Sequence, residues 1–304
     1  MSASVSADRA PVPEQILRRL EWHVIRRLDG LMQGDYRTLF YGEGLDFVDL
    51  REYQLQDDVR HIDWNVSARM DSPYVRQYAE DREITAWFLL DLSPSMGFGP
   101  VDRPKESVLV DLVVTLARLL VQGGNRVGAM LYRNNRIERT IPPRGGRNQV
   151  LRLTHEMLRE AMRPARTTTD LSVLLSAGAN TFKRRSHVIL ISDFISEPGW
   201  ERALALLNRR HELLAIRLWD PREVELPDAG VIVVEDYETG EQLRVDTSSP
   251  AFRRRFFEAA ARREAALRAQ VARAGVDLYD VSTEEDLVPA IVRMALLRKK
   301  RRWR

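Results

Sequence analysis

From residue 84 onward, short apolar runs alternate with longer segments whose apolar residues recur every three to four positions. Runs of strand length alternating with segments of helix length predict a sheet joined by crossover helices. Residues 84–90 are almost wholly apolar and end at Asp91, the pattern of a strand covered on both faces. Residues 105–121 place Val108, Leu109, Leu112, Val113, Leu116, Leu119 and Leu120 on one broad helical face, and Gly123-Gly124 stops the helix. Strands are expected at 126–132 and 136–141, and the Arg133-Asn134-Asn135 turn between them is short enough to require an antiparallel hairpin. Helices at 146–161 and 170–181 precede a strand at 187–191, which ends at Ser192-Asp193. A helix at 200–211, a strand at 213–218 and a hairpin around Glu238-Thr239-Gly240-Glu241 follow. The pattern closes with a helix at 250–274, a strand at 277–281 and a helix at 284–298.

The first 83 residues differ. Ile16, Leu17, Leu20, Val24, Leu28 and Leu31 recur at helical spacing behind Pro13, and Gly30, Gly34, Gly42 and Gly44 break the pattern. A polar, charged stretch then runs to the first strand. The expected fold is α/β: a doubly wound, mostly parallel sheet with an antiparallel edge strand, an added β-hairpin and an N-terminal extension. Residues 1–83 form the extension packed on the core, and 84–304 form the α/β domain.

In open α/β sheets, functional groups gather at the carboxyl ends of the strands. Two strands deliver an aspartate there, Asp91 and Asp193. Asp91-Leu92-Ser93-Pro94-Ser95 sets a carboxylate and two hydroxyls at alternate positions leaving the strand, so three oxygens can face one hard cation. Magnesium takes about six oxygen ligands, so other loops and water must contribute. Thr169, opening the helix before residue 187, and Asp193 are the candidates. The set Asp91, Ser93, Ser95, Thr169 and Asp193 resembles the metal-ion-dependent adhesion site of von Willebrand factor A domains. That resemblance implies Mg2+, or another divalent cation such as Mn2+ or Ca2+, held by hydroxyls and water and left electrophilic enough to accept a partner's carboxylate. In that family the second aspartate is usually followed by Gly, whereas Phe194 stands here.

The charged stretch contains Gly44-Leu-Asp-Phe47, Leu50-Arg51-x-Tyr53, Asp57-Asp58-Val-Arg60 and Ile62-Asp63-Trp64-x-x-Ser67-Ala-Arg69. With Asp91-x-Ser93-x-Ser95 it resembles the prokaryotic domain-of-unknown-function fifty-eight family, often described as MoxR-associated, with Gln56 where that family commonly has Gly. The resemblance implies a von Willebrand factor A-like fold and a MoxR-type AAA+ ATPase as partner. Read from the residues alone, Arg51, Asp57, Asp58, Arg60, Asp63 and Arg69 alternate closely enough for an ion-pair network. Trp64 could anchor the segment on the core. Either the network staples this segment in place or it is a docking surface.

Composition narrows the chemistry. The chain contains no cysteine, which excludes disulfides, zinc-thiolate sites and thiol catalysis. No run approaches the roughly 20 apolar residues of a membrane helix, and the start of the chain has no signal-peptide pattern, so a cytoplasmic location is expected. Histidines 23, 61, 155, 187 and 211 fall in unrelated contexts, and Ser93 occupies the position where an Asp-x-Asp phosphoryl-transfer site needs an acid. No G-x-x-x-x-G-K-[ST] motif occurs, and the chain has only four lysines. The reading is a non-enzymatic, protein-binding adaptor. A metal-dependent hydrolase is the alternative, as is nucleic-acid binding through the terminal Arg298-Lys299-Lys300-Arg301-Arg302-Trp303-Arg304, which otherwise reads as a frayed, solvated helix end.

Overall fold

The computed structural model describes residues 12–32, 49–54, 59, 62, 64–70, 72–77, 84–100, 103–163, 167–235 and 240–302. Helix α1 (Pro13–Leu20) runs through a π-helical turn at Glu21–Ile25 into α2 (Arg26–Met32). A small antiparallel pair follows, β1 (Asp49–Glu52) and β2 (Tyr74–Gln77), with α3 (Trp64–Met70) between them in sequence. The main body contains β3 (Thr85–Asp91), α4 (Lys105–Gln122), β4 (Arg126–Arg133), β5 (Arg136–Arg144), α5 (Arg147–Ala161) and α6 (Leu171–Thr181). It continues through β6 (His187–Ser192), α7 (Trp200–Arg210) and β7 (Glu212–Trp219) to the hairpin β8 (Val231–Glu235) and β9 (Gln242–Asp246). It ends with α8 (Pro250–Arg273), β10 (Asp277–Ser282) and α9 (Leu287–Arg302).

The six-stranded sheet has the order β10-β7-β6-β3-β4-β5, parallel throughout except for β5 at one edge. From β3 the chain winds one way to β4 and β5, then returns to β6 and winds the other way to β7 and β10. The winding therefore reverses between β3 and β6, which opens a crevice beyond their carboxyl ends.

Strand periodicity sorts the core into two layers. Along β3, Ala86, Phe88 and Leu90 join one buried cluster with α4, α5 and α9, while Trp87 and Leu89 join another with α6, α7 and α8. The N-terminal helix belongs to the first layer. Ile16, Leu17, Leu20, Val24, Ile25 and Leu28 are buried with the α4 residues, and fully burying a leucine such as Leu17 or Leu28 contributes about 1.5–3 kcal/mol. Arg19 meets Asp111 at 2.5 Å and Arg118 meets Glu21 at 3.0 Å along the same contact, and Arg27 meets Asp286, just before α9, at 2.8 Å. Among the described residues, no helix is long and apolar enough to cross a membrane.

Several elements differ from the sequence pattern. β5 extends three residues further, through Pro142 and Pro143 to Arg144. Proline lacks the donor an interior strand needs, and an edge strand tolerates it. The Gln149 amide reaches back to the carbonyls of Val127 (2.8 Å) and Pro142 (2.9 Å) across this irregular stretch. Gly128 lies beneath it, where an added Cβ would sit 2.8 Å from the Ile141 carbonyl oxygen. Gly128→Ala should therefore cost about 1–3 kcal/mol in urea unfolding, because the clash is with backbone. An unchanged midpoint would show that β5 simply moves aside.

The Asn134-Asn135 turn takes the expected hairpin form, both residues having positive φ (52° and 56°). The strand pair β1–β2 and helix α3 had no clear periodic signal, being short and polar. Two further expectations need correction. Trp64 is 70% exposed, so it does not anchor its segment on the core. The terminal helix continues to Arg302, and Arg298 is buried in an ion pair with Glu212, so the basic run does not begin as a frayed end.

Candidate metal site at the strand carboxyl ends

Asp91 closes β3, and the chain then turns through Ser93 into a short 3-10 turn at Pro94–Gly97. The Ser93 N–H donates to Asp91 Oδ1 at 2.9 Å, and the hydroxyls of Ser93 and Ser95 stand 3.1 Å apart. An aspartate accepting from the amide two residues on is the Asx-type turn that curls a chain back on its own carboxylate. Asp91, Ser93 and Ser95 are all buried.

The neighbouring strand β6 supplies the rest. Its last residue, Ser192, donates its hydroxyl to Asp91 Oδ2 at 2.6 Å and accepts from the Phe194 N–H at 2.9 Å. Asp193 follows, with Oδ1 accepting from the Ile195 N–H at 3.0 Å. Phe194 sits at φ 60°, a conformation that a bulky side chain rarely adopts. Burial of its ring 5.5 Å from Trp200 holds it there, which shows how the loop accommodates Phe at this position.

The 167–170 segment is tied to the same rim. Tyr132 lies opposite Asp91 in register, its OH accepts from the Asp170 N–H at 2.9 Å, and the Thr169 carbonyl accepts from Glu197 N–H at 2.7 Å. Ser196 Oγ accepts from the Leu171 N–H at 3.0 Å. Thr169 is thus buried beside the loop that carries Asp193. The loops after β3 and β6 thus meet at the sheet edge, with the 167–170 segment packed against the second of them.

Sequence reading missed Lys105. It opens α4 after Pro104, and its ammonium group is wholly buried, donating to Asp193 Oδ2 at 2.6 Å and Glu223 Oε1 at 2.5 Å. Glu223 is held by a turn at Pro221–Glu223 in which Asp220 and Glu223 cap one another, and Thr283 donates its hydroxyl to Asp220 Oδ2 at 2.5 Å. Burial disfavours the Lys105 charge, yet the two carboxylates hold its pKa above the usual lysine value. A lysine among four in the chain, opening a strongly apolar helix, was the available signal.

Among the described residues, Asp91 has no such cation beside it. Burial, and then the negative charge of Asp193, push its pKa up from 3.8 to about 6, against the lowering effect of hydrogen bonds from Ser192 and Ser93. With Asp91, Asp193 and Glu223 ionised and Lys105 protonated, these four groups leave two negative charges uncompensated. A dication matches that deficit, and the donors are hard oxygens of the kind magnesium, manganese and calcium take. Among the described residues, no group of three or more His, Cys, Asp or Glu side chains forms a ligand set, so an ion here must draw on hydroxyls and water. The residues fit such an ion.

Of the expected charged network, Asp57, Asp58, Arg60 and Asp63 lie outside the described residues, as does the Arg51 side chain; Arg69 is exposed on α3. Among the histidines, His187 begins β6 and His211 immediately precedes β7, at the end of the sheet opposite Asp91 and Asp193. His23 and His155 are exposed on helices, and His61 lies outside the described residues.

An open, doubly wound α/β sheet with an acidic and hydroxyl-rich loop at its switch point defines the class. The chain belongs to the DUF58 family, whose model, described as a protein of unknown function, matches residues 49–266. Uncharacterized proteins of Mycobacterium bovis and Mycobacterium tuberculosis are each 36% identical to it over 284 residues, covering 93% of this chain and 89% of theirs. Among solved structures, the conserved hypothetical protein BatB of Bacteroides thetaiotaomicron is similar with a TM-score of 0.46 and 16% identity, covering 71% of this chain and 99% of that one. The manganese-loaded TRAP protein of Plasmodium vivax has a TM-score of 0.32 and 16% identity, covering 45% of this chain and 57% of that one.

Proposed function

We propose that the chain is a non-enzymatic binding protein of the von Willebrand factor A kind, whose rim holds a divalent cation through Asp91, Ser93 and Ser95, with Thr169 and Asp193 completing the set. The bound cation would supply a Lewis-acidic point for a carboxylate from a protein partner. The observation that carries this reading is the buried carboxylate of Asp91, with no basic side chain against it among the described residues and two hydroxyls and a second aspartate beside it.

The chain's own groups prepare the site. Ser192 and the Ser93 amide orient Asp91, Lys105 fixes one oxygen of Asp193, and the Tyr132 hydroxyl holds the Thr169-Asp170 turn against the rim. Binding is favoured over hydrolysis because Ser93 replaces a second acid and the placed histidines stand elsewhere in the molecule. A MoxR-type AAA+ ATPase is the partner we propose, on the strength of the family resemblance.

Titration with Mn2+, read by electron paramagnetic resonance, should give saturable binding in the wild type and none in Asp91→Ala. A purified MoxR-type ATPase should be retained in Mg2+ and released by chelator. Equal Mn2+ binding by the variant overturns the metal assignment, and retention indifferent to chelator overturns the partner's dependence on it.

A further inference from the structure

At the opposite end of the sheet, a cleft of about 460 Å³ opens between the ends of α6 and α7. Lys183, Arg184, Arg185 and Arg210 line it, with Ala179, Asn180, Phe182 and His211 forming the rest of the wall. Among the described residues, no carboxylate lines the cleft. Lys183 donates to the Asn180 carbonyl at 3.1 Å, while Arg184, Arg185 and Arg210 are exposed and form no ion pair among the described residues. The nearest acid in sequence, Glu212, is engaged by His187 and Arg298.

Basic residues at helix ends can simply complement the helix dipole. His211 points beyond that explanation. It is 5% exposed, packed edge-on against Phe182 at 5.6 Å, and neither ring nitrogen has a hydrogen-bond partner among the described residues. An unpartnered polar ring buried in a cleft wall is costly unless something else satisfies it.

We propose that this cleft binds a small phosphorylated ligand carrying at least two phosphate groups, with Arg184, Arg185, Arg210 and Lys183 as the anion-binding groups and His211 as an additional donor. Guanidinium forks match phosphate oxygens in pairs, and the four cations balance about the charge of a diphosphate. The volume is that of a small-molecule site. A single carboxylate would leave most of the positive charge unmet. The cleft lies at the end of the sheet away from Asp91 and Asp193 and shares no residue with that candidate site.

The test is calorimetric titration of the full chain with inorganic pyrophosphate in chelator, which removes any contribution from divalent ions. Saturable one-to-one binding is expected, weakened about tenfold or more by Arg184→Ala and by Arg210→Ala. Arg254→Ala, on the exposed face of α8, should leave binding unchanged. The His211 imidazole resonances should move with saturation while those of exposed His155 stay fixed. Should Arg184→Ala fail to fold, Lys183→Ala takes its place. No saturable binding, equal loss in the Arg254 control, an unmoved His211, or capture of a glutamate-rich peptide in place of pyrophosphate would each overturn the assignment.

Discussion

Lys105→Met should lose about 3–5 kcal/mol of stability at neutral pH in chelator, the scale for stripping one partner from a buried ion pair. Methionine keeps most of the volume, so the loss reports charge. Without the ammonium, Asp193 and Glu223 lie within reach of one another, and Asp193 also faces Asp91, with nothing positive between them. Saturating Mg2+ should restore part of the loss, about 2.7 kcal/mol at a hundredfold excess over the dissociation constant. The triple change Lys105→Met, Asp193→Asn, Glu223→Gln should be milder than the single one, because it removes the stranded charges with their partner. Urea unfolding with and without Mg2+ measures all three. A single variant within 1 kcal/mol of wild type would mean that the three groups do not depend on one another.

The second large effect concerns Asp91. Its folded pKa, about 6, lies above the ordinary 3.8, so the folded state binds the proton more tightly than the unfolded chain does. Stability from the protonated form is fully present below about pH 3.8 and is lost as pH rises to about 6, a difference on the order of 3 kcal/mol. Asp91→Asn mimics the neutral form at every pH. In chelator it should therefore match wild type near pH 4 and exceed it by up to about 3 kcal/mol at pH 7. Adding Mg2+ at pH 7 should reverse the order, since the amide loses the charge that attracts a dication. Unfolding midpoints of the pair across pH 4 to 7 decide the matter, and a gap that does not change with pH removes the buried-charge account.

The parts of the fold legible in the sequence were those with a strong period. The alternation of Trp87 and Leu89 with Phe88 and Leu90 marked a strand covered on both sides, and the close spacing of 126–132 and 136–141 required an antiparallel hairpin. Short polar elements such as β1, β2 and α3 carry no such signal, because pairing rather than patterning decides them. At the site, Asp91, Ser93 and Ser95 were visible because alternate positions after a buried strand share a direction. Lys105, Glu223 and Ser192 were not, since each depends on a contact across the fold: Lys105 and Glu223 are 118 positions apart. Trp64 misled, because aromatic content indicates burial only on average.

The hydrophobic interior draws on both sides of the compositional change near residue 83. Leu17 and Leu20 pack in the buried cluster that contains α4, Leu28 joins the same cluster, and α4 begins at Lys105 of the candidate site. A protein trimmed to its α/β portion would present a bare greasy stripe to water along the helix that seats that lysine. The arm before the sheet is thus one wall of the same room, and a chain cut to residues 84–304 is expected to unfold at lower urea than the whole.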